Sequence, residues 1–177
     1  MTSSAPDTPR PSVCPATFRV IMASFASGVC VVTTLDEYAR PRGFTCSAFC
    51  SVSVDPPLLL SSVSSQSSTL TAVRDCGRFA VNMLGRHARD VSALFASAVD
   101  DRFDRVAWAP GPAAGMPLLA DTVADAECEL TDLVSVGDHT LMIGRVVGGG
   151  VRSERSPLAY WRGGYAEVLP AGPAGRR

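Results

Sequence analysis

A mainly β fold with few short helices, closed or split into an antiparallel barrel, is the class this 177-residue chain predicts. Three observations carry it. Extended segments outnumber helical ones, and they lack the regular strand-helix alternation of a parallel nucleotide-binding sheet. So many short strands hide their edges most simply by closing on one another.

Taken in order, residues 1–15 hold four prolines and little to bury, so they read as a disordered lead-in. Residues 171–177 read likewise as a flexible tail, leaving a folded unit of 16–170. Phe18, Ile21, Met22 and Phe25 recur at i, i+3, i+4 and i+7, the stripe of an amphipathic helix, with Gly28 placed as its left-handed cap. Val29–Thr34 is β-branched, and turn chemistry over 36–43 leads to Phe44–Ser47, which predicts two strands joined by a hairpin loop. Phe49–Asp55 alternates, Pro56-Pro57 forces a break, and the apolar run from Leu58 to Val63 reads as a buried strand. Thr69–Arg74 is a short helix with a hydroxyl N-cap and Gly77 beyond its end. A strand at Phe79–Leu84 and a helical face of Val91, Leu94 and Phe95 within 86–97 follow. Beyond a loop at 100–104 and a Pro/Gly-rich link at 110–117, four strands are predicted over 123–133, 140–151, 157–161 and 165–169.

Composition narrows the chemistry. Sixteen basic residues against seventeen acidic ones leave no cationic excess for nucleic acid. Every basic residue is Arg, so a Walker A lysine, a pyridoxal Schiff base and lysine-borne carrier groups are excluded. Six cysteines lack any C-x-x-C pair, and with only His87 and His139 beside them no metal site is expected. They read as reduced, mostly buried thiols of a cytoplasmic protein, and no stretch approaches a membrane span.

What remains is a set of hydroxyls and small residues at strand ends. Thr45 and Ser47, Ser61 and Ser62, and Ser67, Ser68 and Thr69 are the candidates, the last three at a helix start able to hold a phosphate. Arg102 stands in an acidic loop, where it either pairs with Asp101 or Asp104 or turns a bidentate guanidinium on that phosphate. His139 opens a strand at a barrel mouth, in a position for polar work or a plain turn.

These residues lie within ordered blocks: Phe25–Thr34, Arg42–Leu58, Gly77–Asn82, Asp101–Phe103, Gly137–Thr140 with Gly144–Val146, and Pro157–Tyr160. Together they resemble the short-chain flavin reductases, the reductase partners of two-component flavin-dependent monooxygenases, from about residue 18 to 169. The resemblance implies an antiparallel Greek-key split β-barrel of the FMN-binding type over 16–170, usually a homodimer. It implies reduction of free FMN or FAD by NADH, with NADPH second, and release of reduced flavin to an oxygenase. Gly43, Phe44, Thr45, Cys46 and Ser47, with Ser61, Ser62 and Val63, would contact the isoalloxazine and ribityl chain. Ser67, Ser68 and Arg102 would hold the phosphate, His139 would lie by the nicotinamide, and Tyr160 ranks behind it there. No catalytic side chain is expected, since the flavin N5 accepts the hydride and the protein stacks two rings. Cys46 stands where the family often has Ala, and Ser61-Ser62 and Ser64-Ser65 where many relatives carry larger or charged residues. Two other functions share the fold: a flavin carrier or sensor that never turns over, and an oxidoreductase that keeps its FMN for a substrate of its own.

Overall fold

In the computed structural model, which describes residues 12–169, three helices and twelve strands follow one another along the chain. The predicted tails, apart from 12–15, lie outside those residues. The helices are α1 (Pro15–Ala23), α2 (Ser68–Cys76) and α3 (Arg89–Ala96). The strands are β1 (Ser27–Gly28), β2 (Cys30–Leu35), β3 (Pro41–Cys46), β4 (Phe49–Ser53), β5 (Leu58–Ser64) and β6 (Arg78–Leu84). They continue as β7 (Trp108–Pro110), β8 (Pro117–Leu119), β9 (Thr122–Val136), β10 (His139–Val151), β11 (Leu158–Trp161) and β12 (Gly164–Glu167).

Seven strands form one antiparallel sheet in the order β3-β2-β6-β9-β10-β5-β4. The pairs β2–β6 and β5–β10 are not consecutive in sequence, which gives the Greek-key crossing of a split barrel. Its two ends meet where β3 runs out: Ser62 N–H donates to the Ala48 carbonyl at 2.9 Å, and Cys46 Sγ lies 3.3 Å from Ser61 Oγ. A small β1-β11-β12 sheet and a β7–β8 hairpin complete the fold.

The apolar and β-branched run of β2, Thr33 and Thr34 included, is buried on both faces. Cys30 and Val32 join Phe79, Val81, Cys128 and Met142 inside the barrel, where Leu70 and Val73 of α2 also pack. Val29, just before β2, and Val31 face the other way, against Leu84, Phe95 of α3, Phe103 and Leu158. Polar residues inside serve backbone that would otherwise be orphaned. Asn82 donates to the Val31 carbonyl and accepts from Leu119 N–H, while the Glu127 carboxylate accepts from Ala113, Ala114 and Met116 N–H. Segment 110–117, expected to be a plain link, is therefore the pinned tip of a hairpin.

Two further expectations change, and the α1 stripe is left exposed. Helix α1 ends at Ala23 with Ser24 as its cap, and Gly28 lies in β1 without a positive φ, so it is not the cap. The acidic loop contains a 3-10 turn over Arg102–Arg105. The stripe on α1 covers no core: none of that helix is buried, and Phe18, Val20, Ile21, Met22 and Phe25 are 49–71% exposed. Gly77 does cap α2 in the left-handed conformation, as its position predicts.

Candidate active site

Two cavities run end to end along the seam where β3, β5 and α2 meet. The larger, about 350 Å³, is lined by Phe44–Ala48 on one side and by Ser62, Val63, Ser64 and Ser67 on the other. The smaller, about 50 Å³, continues it between Pro41–Gly43, the α2 start at Ser68 and Thr69, and the segment from Val99 to Phe103. Sequence neighbours, 43 with 44 and 67 with 68, place the two side by side along one seam, here called the slot. Because β3 is an edge strand, every second backbone group on it is free of the ladder and available at the slot wall.

Gly43 is required where the two cavities join. A Cβ there would lie 2.8 Å from the Val32 carbonyl oxygen and 3.0 Å from the Phe95 ring, so any side chain pushes β3 off the barrel. The carbonyl of Gly43 accepts a hydrogen bond from Arg102 Nη1 at 2.8 Å, while Nε and Nη2 donate to the Val99 and Ser97 carbonyls. Three of the five guanidinium N–H groups are used and two remain. Among the described residues no carboxylate forms an ion pair with Arg102, although Asp100 lines the same cavity, and Asp101 pairs with Arg105 at 2.6 Å. Of the two placements the sequence left open for Arg102, pairing with Asp101 or Asp104 is not formed, and Arg102 shares a cavity with Ser68 and Thr69 at the α2 start.

Opposite it, Ser67 is the N-cap of α2, yet its side chain makes no capping bond. Ser68 and Thr69 carry hydroxyls with no hydrogen-bond partner among the described residues. Thr69 is only 5% exposed, and since no sealed polar atom there lacks a partner, its oxygen opens onto the cavity. With the unpaired N–H groups of a helix first turn beside them, these groups form an oxyanion cradle. Thr69 was legible in the hydroxyl run. Arg42, which also lines the cradle, was not, since its anchor is Asp36, across the hairpin turn.

Other site candidates divide. Phe44, Cys46, Ser47, Ser62, Val63 and Ser67 line the slot. Thr45 lines it too, but its hydroxyl donates to the Ser92 carbonyl at 2.7 Å and is committed to holding α3. Ser61 is fully buried behind Cys46 and does not line the slot; the alternation along β5 turns its side chain inward, so a flavin contact from it is not supported. His139 pairs across the ladder with Ser64, which puts it at the slot rim, with Nδ1 2.7 Å from Asp138. Tyr160 pairs with Ser27 on the small sheet, its ring packs on Tyr165, and it does not line the slot of its own chain.

Cys46 is the acidic thiol of the slot. The adjacent Cys30 thiol, the Ser61 hydroxyl and the peptide groups near 48 and 62 outweigh burial and hold it at about 6, while Cys30 is pushed well up. Above pH 6 it is a thiolate, so its alkylation rate is expected near its plateau at pH 7 and to fall about tenfold per unit below 6. Saturating flavin should protect it. Peptide mapping after iodoacetamide treatment, across pH 5–8, reads both outcomes.

A split barrel with a hydroxyl-lined slot ending in an oxyanion cradle defines the class of flavin-binding split barrels. The chain belongs to the flavin reductase like domain family, whose model matches residues 22–169. It is 51% identical over 152 residues to a flavin reductase (NADH) of Kitasatospora aureofaciens, covering 85% of this chain and 80% of that one. A flavin reductase (NADPH) of Lentzea aerocolonigenes is 41% identical, covering 94% and 97%. The solved structure of Streptomyces globisporus C-1027 NADH:FAD oxidoreductase SgcE6, in complex with NAD and FAD fragments, superposes with a TM-score of 0.84. It is 32% identical over 91% of this chain and 98% of that one. Some relatives are longer: the chain spans 51% of one from Rhizobium meliloti. Others are named as reductase subunits or components of flavin-dependent monooxygenases.

Proposed function

We propose that this protein is an NAD(P)H:flavin oxidoreductase that binds FMN or FAD as a diffusible substrate and hands the reduced flavin to a separate monooxygenase. The observation that carries it is Arg102, in no ion pair among the described residues, sharing a cavity with the free hydroxyls of Ser68 and Thr69 at the end of the slot. That arrangement fits the phosphate of a flavin nucleotide whose ring lies along β3. When bound, the flavin supplies the hydride acceptor. The chain's own part is to fix the ring against residues 44–48, to hold the phosphate with Arg102, Ser67 and Ser68, and to present His139 at the rim beside the nicotinamide.

The slot is open along one side, which suits a substrate that comes and goes. Purified protein with NADH or NADPH and either flavin, followed by loss of reduced-nicotinamide absorbance in air, is expected to show oxidation that saturates with added flavin. Tight flavin binding without oxidation would overturn the reductase and leave the carrier; turnover with no added flavin would point to a retained cofactor.

The monooxygenase partner rests on the naming of relatives. A homodimer is supported by α1, whose apolar face a second copy would cover. All six cysteines are free, as in a reducing compartment such as the cytoplasm, and no helix among the described residues is long and apolar enough to cross a membrane.

A further inference from the structure

The cysteine that lines the slot has a second cysteine across the ladder from it. Cys46, the last residue of β3, is the register partner of Cys30 in β2, and residues directly opposite on antiparallel strands share a face. Both thiols are free and sit in the barrel core, and Cys30 Sγ donates to the Cys46 carbonyl at 3.1 Å. Opposed positions hold their Cα atoms about 4.5–5.5 Å apart, inside the range of about 4.4–6.8 Å that a disulfide spans. Among the described residues no other two cysteines are ladder partners.

We propose that Cys46 and Cys30 form a peroxide-oxidised dithiol site, and that bridging them weakens flavin binding in the slot. The peroxide arises when reduced flavin meets dioxygen before an oxygenase takes it up, so its source rests on the reductase function above; the sulfur chemistry does not.

The two sulfurs divide the work. Cys46 lines a cavity of about 350 Å³, roomy enough for a peroxide, and it is the thiolate of the pair. Its sulfur attacks one peroxide oxygen, the O–O bond breaks, and hydroxide leaves to take up a proton as water. Cys30 keeps its proton, because the Cys46 sulfur beside it and burial push it well up. It then attacks the sulfenic sulfur of Cys46: the S–S bond forms, the S–O bond breaks, and the thiol proton leaves with the hydroxyl as a second water. Two thiols thereby give up two electrons, and one peroxide becomes two waters. The remaining thiols lack this arrangement. Burial and the Glu127 carboxylate push Cys128 up to about 12, while Cys14 and Cys50 are exposed and do not line the slot.

Bridging reaches the flavin through what Cys46 touches. Its sulfur lies 3.3 Å from Ser61 Oγ and 3.4 and 3.5 Å from the Ala48 and Ser62 carbonyl oxygens, where the two ends of the sheet meet. Turned to Cys30 it leaves those groups, and the slot wall loses both the contacts and a negative charge.

Flavin-free protein treated with hydrogen peroxide, digested without reductant and mapped by mass spectrometry, tests it. The expected result is a cross-link from Cys30 whose fragment ions place it on Cys46 and not on Cys50, with two of the six thiols lost. Flavin affinity, read by fluorescence titration, should fall about tenfold, the scale of one lost contact, and dithiothreitol should restore both. Cys30→Ser should stop at a sulfenic acid on Cys46 that dimedone traps. Six thiols surviving, or oxidation confined to Cys14 or Cys50, would overturn the site. A bridge that leaves flavin affinity unchanged would overturn its effect on the slot. Flavin binding by neither form would overturn the reductase reading and that effect together, while the peptide map still decides the dithiol.

Discussion

Replacing Arg102 by Leu is expected to weaken flavin binding about 100-fold and to lower Tm. Two separate losses lie behind this. Toward the ligand, two free N–H groups and a positive charge disappear, each charge-assisted bond contributing about 1.5–3 kcal/mol. Toward the protein, the carbonyls of Gly43, Ser97 and Val99 lose a shared donor, which frees β3 from the 97–102 segment. Arg102→Lys separates the two: a point charge remains for the phosphate, but one ammonium cannot reach three carbonyls at once. It should recover part of the affinity and little of the Tm. Fluorescence titration and thermal melts on both variants decide it. If Arg102→Leu binds flavin within threefold of wild type, the phosphate lies elsewhere and the slot has been assigned backwards.

Much of this was legible in the sequence because it depends on local patterns. The β-branched run 29–34, the alternation at 49–55, the Leu58–Val63 run and the hydroxyls before α2 all sit where their patterns put them. What was not legible depends on what lies opposite. Ser61 and Ser62 are adjacent and chemically identical, yet strand pleating sends one behind Cys46 and the other to the slot. Glu127 reads as an ordinary strand-face carboxylate until three N–H groups of the 111–116 turn converge on it. Arg42 reads as turn chemistry because its role follows from Asp36 fixing its guanidinium over a cavity formed by residues sixty positions away. The apolar period of α1 predicted the helix but not what its stripe would meet, since periodicity reports an apolar face and not what covers it.

That face yields the other large expected effect, one that tests the proposed homodimer: Phe18→Asp with Ile21→Asp should convert the proposed dimer to monomers and abolish most of the reductase activity. Phe18, Ile21, Met22 and Phe25, 49–71% exposed, recur at i, i+3, i+4 and i+7 on one nine-residue helix and its exit, an apolar stripe of the kind monomers rarely expose. Burying each stabilises an assembly by about 1.5–3 kcal/mol, and in a two-fold interface each substitution is felt twice. Two aspartates are therefore expected to weaken association at least about a thousandfold, which light scattering after size exclusion would read directly. Activity follows because the patch is tied to the site. The end of α1 is held by Trp161 Nε1 donating to the Ser24 carbonyl at 3.2 Å and by Arg162 N–H donating to Ala23. A cavity of about 370 Å³ lies beside it, between Phe25, Phe49 and Leu158, and it reaches Ser47, which also lines the flavin slot. In the proposed homodimer a partner seated on α1 would therefore lie beside this cavity and the flank of the slot at Ser47. Monomers that keep full flavin affinity and turnover would show that one chain completes the site alone, and would remove the reason for the exposed helix to be where it is.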